Sequence, residues 1–67
     1  MVDTRGLSCP MPVIMVQKAI RKDSPASLEV LADAKVAVEN ITRLAHTSGY
    51  QVSVAEEGPD YRMTLTK

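Results

Sequence analysis

Tryptophan and phenylalanine are absent from this chain, cysteine occurs once, and eight basic residues are cancelled by eight acidic ones. Each shortage excludes something. With no basic surplus and no basic run interleaved with aromatic side chains, the composition argues against direct nucleic-acid binding. A single cysteine forms no internal disulfide, supplies no zinc pair and has no resolving thiol in the chain, so chemistry at it must pass to another molecule. No apolar stretch approaches membrane-spanning length, and the amino end lacks the charged and apolar regions of a secretion signal. A cytoplasmic protein without a membrane partner is the expectation. Repeats, linkers and low-complexity stretches are missing too, and 67 residues leave room for one domain, 1–67, with a modest core.

What is present centres on that one cysteine. Cys9 lies in Gly6-Leu7-Ser8-Cys9-Pro10-Met11-Pro12, between a short apolar start and a longer apolar run with helical spacing. Proline is tolerated in the first helical turn, where backbone N–H groups lack intrahelical partners, so Pro10 and Pro12 predict a helix beginning at about Pro10. Cys9 then becomes the cap residue, at the positive end of the helix dipole, a setting that favours thiolate over thiol. The competing reading is a buried, inert cysteine acting as a small apolar residue. The rigid Pro-x-Pro start favours the first reading, because it presents the cap outward.

The remaining pattern predicts strand, helix, strand, helix, strand, strand. Val2–Thr4 reads as a short strand, and a helix follows from about Pro10 to Lys22 with Val13, Ile14, Val16 and Ile20 at helical spacing. Asp23-Ser24-Pro25 breaks it, and Leu28–Ala32 reads as the next strand. Asp33 is placed to cap a second helix whose Ala37, Ile41, Leu44, Ala45 and Ser48 share a face, and Gly49 ends it in a left-handed conformation. Tyr50, Val52 and Val54 alternate with polar residues, Gly58-Pro59-Asp60 turns the chain, and Tyr61, Met63 and Leu65 alternate again, which is a hairpin. The economical solution for βαβαββ in so few residues is an α/β (α+β) two-layer sandwich, two helices packed on a four-stranded mixed β-sheet. One sheet face would be covered and the other solvated.

Charge is unevenly spread. Residues 1–22 hold one acid, Asp3, and four bases, Arg5, Lys18, Arg21 and Lys22. A basic surface near Cys9 suits an acidic partner or an anionic sulfur. Arg5, Lys18 and Arg21 are the candidates for that contact, the last two one turn apart on the Cys9 helix. Asp3 and Gly6 read as structural, the acid pairing locally and the glycine serving a turn. His46, the only histidine, reads as a solvated helix residue and not as a base for Cys9.

Asp3-Thr4-Arg5-Gly6-Leu7-Ser8-Cys9-Pro10-Met11-Pro12-Val13, Lys18, the Leu28–Asp33 strand ending in Ala-Asp, and the closing Tyr61-Arg62 to Thr66-Lys67 strand together resemble the TusA/SirA-like sulfur-carrier family over essentially the whole chain. Residues 38–45 and the Glu-Glu-Gly hairpin are most similar to the amino-terminal domain of YedF-type proteins, linked by name to selenium metabolism. The resemblance implies a sulfurtransferase-type persulfide carrier rather than a stand-alone enzyme. Cys9 would be the sulfur-bearing residue, with Gly6, Leu7, Pro10 and Pro12 shaping its helix start. It would take sulfur from a cysteine desulfurase or related donor and pass it to an acceptor protein, for example towards tRNA thiolation, without cofactor or metal. Three positions depart from family habits: Asp33-Ala34-Lys35 where many relatives have Asp-Asp-Pro, Ala45 where some have a second cysteine, and Gln17 where the tRNA-thiolation carrier has arginine. These leave donor and acceptor open while Cys9 and both prolines are intact. A regulatory or protein-binding module on the same fold is the alternative, in which Cys9→Ser would be silent. Sulfenic-acid sensing lacks a resolving thiol, and Cys9, Met11 and Met15 do not converge clearly on a copper ion.

Overall fold

The computed structural model describes residues 2–8, 11–23 and 25–67. Its elements are β1 (Val2–Asp3), α1 (Met11–Asp23), β2 (Ser27–Ala32), α2 (Lys35–Thr47), β3 (Gln51–Glu57) and β4 (Asp60–Thr66). Sheet order is β1-β2-β4-β3, with β1 parallel to β2 and β4 antiparallel to both of its neighbours. β2 and β3 are therefore parallel to each other with β4 inserted between them. This is the expected two-layer α+β sandwich on a mixed sheet.

Three residues four apart, Pro12, Val16 and Ile20, form the buried stripe of α1, with Val13 packed half-buried beside them. Pro12 is thus part of the core as well as of the helix start. Ile14 lies at the flank of that stripe, half-buried. Pro10 and Cys9, expected at the helix start, lie outside the described residues, and α1 is described from Met11.

On α2 the buried positions are Ala37, Ile41 and Ala45, where two alanines flank one large side chain and allow the helix to lie close to β2, β3 and β4. Ser48 does not share this face. It is the exposed C-cap, its N–H donating to the carbonyls of Leu44 and Ala45. Gly49 follows at φ 87°, its N–H donating to His46 and that of Tyr50 to Ala45, at 3.1 and 2.8 Å. These two bonds make a Schellman ending, which needs the left-handed residue that glycine supplies.

Tyr50 precedes β3 instead of opening it. It is buried, and its hydroxyl donates to the Pro25 carbonyl at 2.6 Å, fastening the end of α2 to the start of β2. Leu28, Val30, Met63 and Leu65 from the two central strands meet Val16, Ile20, Ile41 and Ala45 from the helices in one core. In β4 the expected alternation holds, with Met63 and Leu65 buried. β3 is exposed along most of its length, and Val54 stays 45% exposed, because an edge strand has a neighbour on one side only. Glu57 and Asp60 close the hairpin around Gly58-Pro59, with Gly58 at φ 63°. Proline's ring forbids a second positive φ, so the turn is type II′. No helix among the described residues is long and apolar enough to cross a membrane.

Candidate functional site

Parallel β1 and β2 run to the same end of the sheet, so the β1–α1 loop and the β2–α2 loop are neighbours there. Strand β1 ends at Asp3, one residue earlier than the sequence suggests, and Thr4 fastens its end by directing both its N–H and its hydroxyl to the Leu31 carbonyl, at 2.8 and 2.6 Å. Thr4 is the buried polar residue among those described, and the two bonds satisfy it. From this anchor the chain turns outward, with Leu7 N–H donating to the Thr4 carbonyl at 3.3 Å and Gly6 at φ 80°. A side chain at Gly6 would meet no steric obstacle, so glycine is required there for its backbone angle alone.

Asp33 holds this turn. Its carboxylate accepts the Gly6 N–H at 2.7 Å, while the N-cap of α2 is Ala34 without any side-chain cap bond. The expectation that Asp33 caps α2 is therefore corrected. The Asp33 carboxylate is committed to the neighbouring loop, and so is not the cap of the helix that follows it. Asp33→Ala is expected to lose about 1 kcal/mol of local stability. Amide hydrogen exchange at Gly6 and Leu7 should accelerate several-fold while exchange in β4 stays unchanged.

Arg5 adds a second tether. Its guanidinium donates to both carboxylate oxygens of Asp3, at 3.0 and 2.9 Å, and reaches Asp60 at the hairpin tip at 3.3 Å. The Arg5 N–H also donates to Asp3 at 3.1 Å. The side-chain bond from Arg5, then its backbone bond, holds the Asp3 carboxyl below its ordinary range, and Asp3 followed by Asp60 raises Arg5. A depressed carboxyl stabilises the fold above its unfolded pKa and loses that contribution as pH falls through the folded value. The Arg5 clamp is accordingly expected to be intact at neutral pH and to release in acid. Following the Asp3 carboxyl and Arg5 side-chain resonances together should give one shared midpoint, below the ordinary carboxylate range.

Asp3 and Gly6 thus have the structural roles expected of them, and Arg5, read as a partner contact, spends its guanidinium on two carboxylates. Sequence reasoning missed Asp33 and Asp60 as supports of the loop. Asp33 carried a competing cap signal, and Asp60, 55 residues from Arg5, carried none.

Past Leu7 the loop meets α1 through the Met11 N–H, which donates to the Ser8 carbonyl at 2.9 Å. Cys9 and Pro10 themselves are outside the described residues. Their flanks are exposed, with apolar Leu7 at 37% and Met11 at 44% on either side. Lys18 and Arg21 are exposed on α1 and enter no ion pair among the described residues. Lys18 stands two turns from Met11, about 10 Å along the axis. His46 is exposed in the last turn of α2, eleven residues from Lys35 and so about 16 Å from the loop end.

A four-stranded sheet is covered by two helices, and a tethered, exposed loop leads into the segment that holds the one cysteine of the sequence. The TusA family profile, described as sulfurtransferase TusA, matches residues 1–67. Two curated proteins are similar over nearly the whole chain. "Putative sulfur carrier protein MJ0990" of Methanocaldococcus jannaschii is 44% identical over 98% of this chain and 91% of its own length, and "Putative sulfur carrier protein YrkI" of Bacillus subtilis is 34% identical over the same shares. Among solved structures, the SirA-like protein from Desulfitobacterium hafniense superposes with a TM-score of 0.83 at 28% identity, covering 96% of this chain and 90% of that one. The chain belongs to the TusA family of sulfurtransferases and sulfur carriers, with the SirA-like fold.

Proposed function

We propose that this protein carries sulfane sulfur as a persulfide on Cys9, taking it from a cysteine desulfurase or related donor and relaying it to an acceptor protein. The observation that carries the reading is the family match over residues 1–67 together with one thiol, in Cys9-Pro10-Met11-Pro12, whose flanking loop is exposed yet tethered by Thr4, Arg5 and Asp33. A carrier needs both properties. Exposure admits a second protein's cysteine, and tethering removes the entropy that a floppy loop would lose on docking.

The transfer balances without a redox partner. The Cys9 thiolate attacks the outer sulfur of the donor persulfide, a new sulfur–sulfur bond forms, the donor's own bond breaks, and the donor cysteine leaves as thiolate. The persulfide proton stays with the transferred sulfur. The positive dipole end of α1, where the Met11 N–H is spent on the Ser8 carbonyl and Pro12 has none, favours the anionic form of Cys9 before and after transfer. No histidine or carboxylate needs to act as base, and His46 is too remote to do so. Leu7 and Met11 offer the apolar rim of the docking footprint, and Lys18 and Arg21, two turns and more along α1, its basic border. Delivery towards tRNA thiolation or a selenium pathway in the cytoplasm is the downstream role this reading suggests.

Radiolabelled cysteine and a desulfurase test it. Label should appear on the chain, resist denaturant, be released by dithiothreitol, and move to an acceptor thiol when one is added. A chain that never takes label from any of several desulfurases would favour the regulatory or binding module instead.

A further inference from the structure

The two edges of this sheet are unlike. β1 is two residues long, too short to pair with another chain, but β3 offers seven residues from Gln51 to Glu57 in unbroken register with β4. Proteins blunt such an edge with proline, charged side chains, a bulge or a covering element. β3 has no proline, its charges are confined to Glu56 and Glu57 at the hairpin end, its ladder has no bulge, and its residues are exposed but for half-buried Val52.

The ladder fixes which backbone groups are unused. A two-residue hairpin closes on a bonded pair, here Glu57 with Asp60, and bonded pairs alternate along an antiparallel ladder. Ala55, Ser53 and Gln51 therefore turn their N–H and C=O to β4. Those of Val52, Val54 and Glu56 point away from the sheet. The Tyr50 N–H, next in that series, is already taken by the Ala45 carbonyl.

We propose that β3 pairs with β3 of a second copy of this chain, antiparallel about a two-fold axis at Val54, to make a continuous eight-stranded sheet. Opposed residues in a sheet share a face, so only registers that pair even with even and odd with odd positions are open. Centring on Val54 uses every outward group: Val54 meets the partner's Val54, and Val52 meets the partner's Glu56. Sliding by one step brings in the spent Tyr50 N–H or the Gly58 turn. The chosen register also opposes no like charges, placing Gln51 against the partner's Glu57 and Ser53 against the partner's Ala55.

Side chains favour the same register. Val54, 45% exposed on the helix-covered face, gains a valine beside it. Lys67 holds its ammonium 5.3 Å over the Tyr50 ring, one step along the strand from Val52, where it meets the carboxylate of the partner's Glu56. Helix α2 lies over β2, β4 and β3, so the two α2 helices would stand roughly three strand spacings apart, about 14 Å, on the same side of the joined sheet and clear of each other. The two Thr4–Ser8 loops point to opposite ends of the joined sheet and both stay accessible. This pairing goes beyond sulfur transfer and does not rest on it.

Sedimentation equilibrium on the reduced chain tests the proposal. Wild type should reach twice its 7.3 kDa as concentration rises. Val54→Pro removes one outward N–H and no bond to β4, so it should give a folded monomer by circular dichroism. Glu56→Lys and Lys67→Glu should each weaken association by at least about tenfold, and the double reversal should restore it. A wild type that stays monomeric at millimolar concentration overturns the proposal, as does a dimer indifferent to Val54→Pro. Should Val54→Pro fail to fold, a dimer unaffected by either single charge reversal overturns it.

Discussion

Ile41→Ala is expected to bring this protein to the edge of unfolding at room temperature. Ile41 is fully buried and ranks first by volume among such side chains, and it sits mid-way along α2, where the helix meets three strands. Truncation removes its transfer free energy and leaves a cavity between Ala37, Ala45 and the sheet that small neighbours cannot fill. Such changes cost roughly 2–5 kcal/mol. A domain of this size holds on the order of several kcal/mol in all. Urea denaturation should show the midpoint falling by more than about 1 M, with Ile41→Val intermediate. Val36→Ala on the same helix, at a position 55% exposed, should stay within about 0.5 kcal/mol of wild type.

Cys9→Ser is expected to abolish sulfur acceptance while leaving the fold unchanged. Serine keeps the size of the side chain and is itself a preferred helix cap, so stability should alter little. Its hydroxyl does not ionise near neutral pH and forms no persulfide, and the chain has no other cysteine to substitute. Loss should therefore be complete, in contrast to Asp33→Ala, which keeps the thiol and frees its loop. That variant should still load with sulfur, only more slowly. The contrast separates the reacting atom from the residues that position it.

Local chemistry made much of this fold legible in advance. Helical spacing located Val16, Ile20, Ile41 and Ala45, and Gly49 and Gly58 marked their turns because each needs a positive φ. What escaped was long-range. Nothing local tells Asp33 to prefer the Gly6 N–H over its own helix, or ties Arg5 to Asp60. Strand alternation also overstated the burial of β3, since periodicity reports which residues share a face and not whether the strand has two neighbours. Val54 fits its pattern and is still exposed. Motif reasoning identified the family and put Cys9 forward as the site, while the supports that hold the loop before it became visible only in three dimensions.

Intact-mass spectrometry without reductant, after incubation with a cysteine desulfurase and free cysteine, tests the persulfide directly. The account predicts a gain of one sulfur atom on wild type, none on Cys9→Ser, and its removal by dithiothreitol. A gain that persists in Cys9→Ser, or none on wild type with any of several desulfurases, would contradict it.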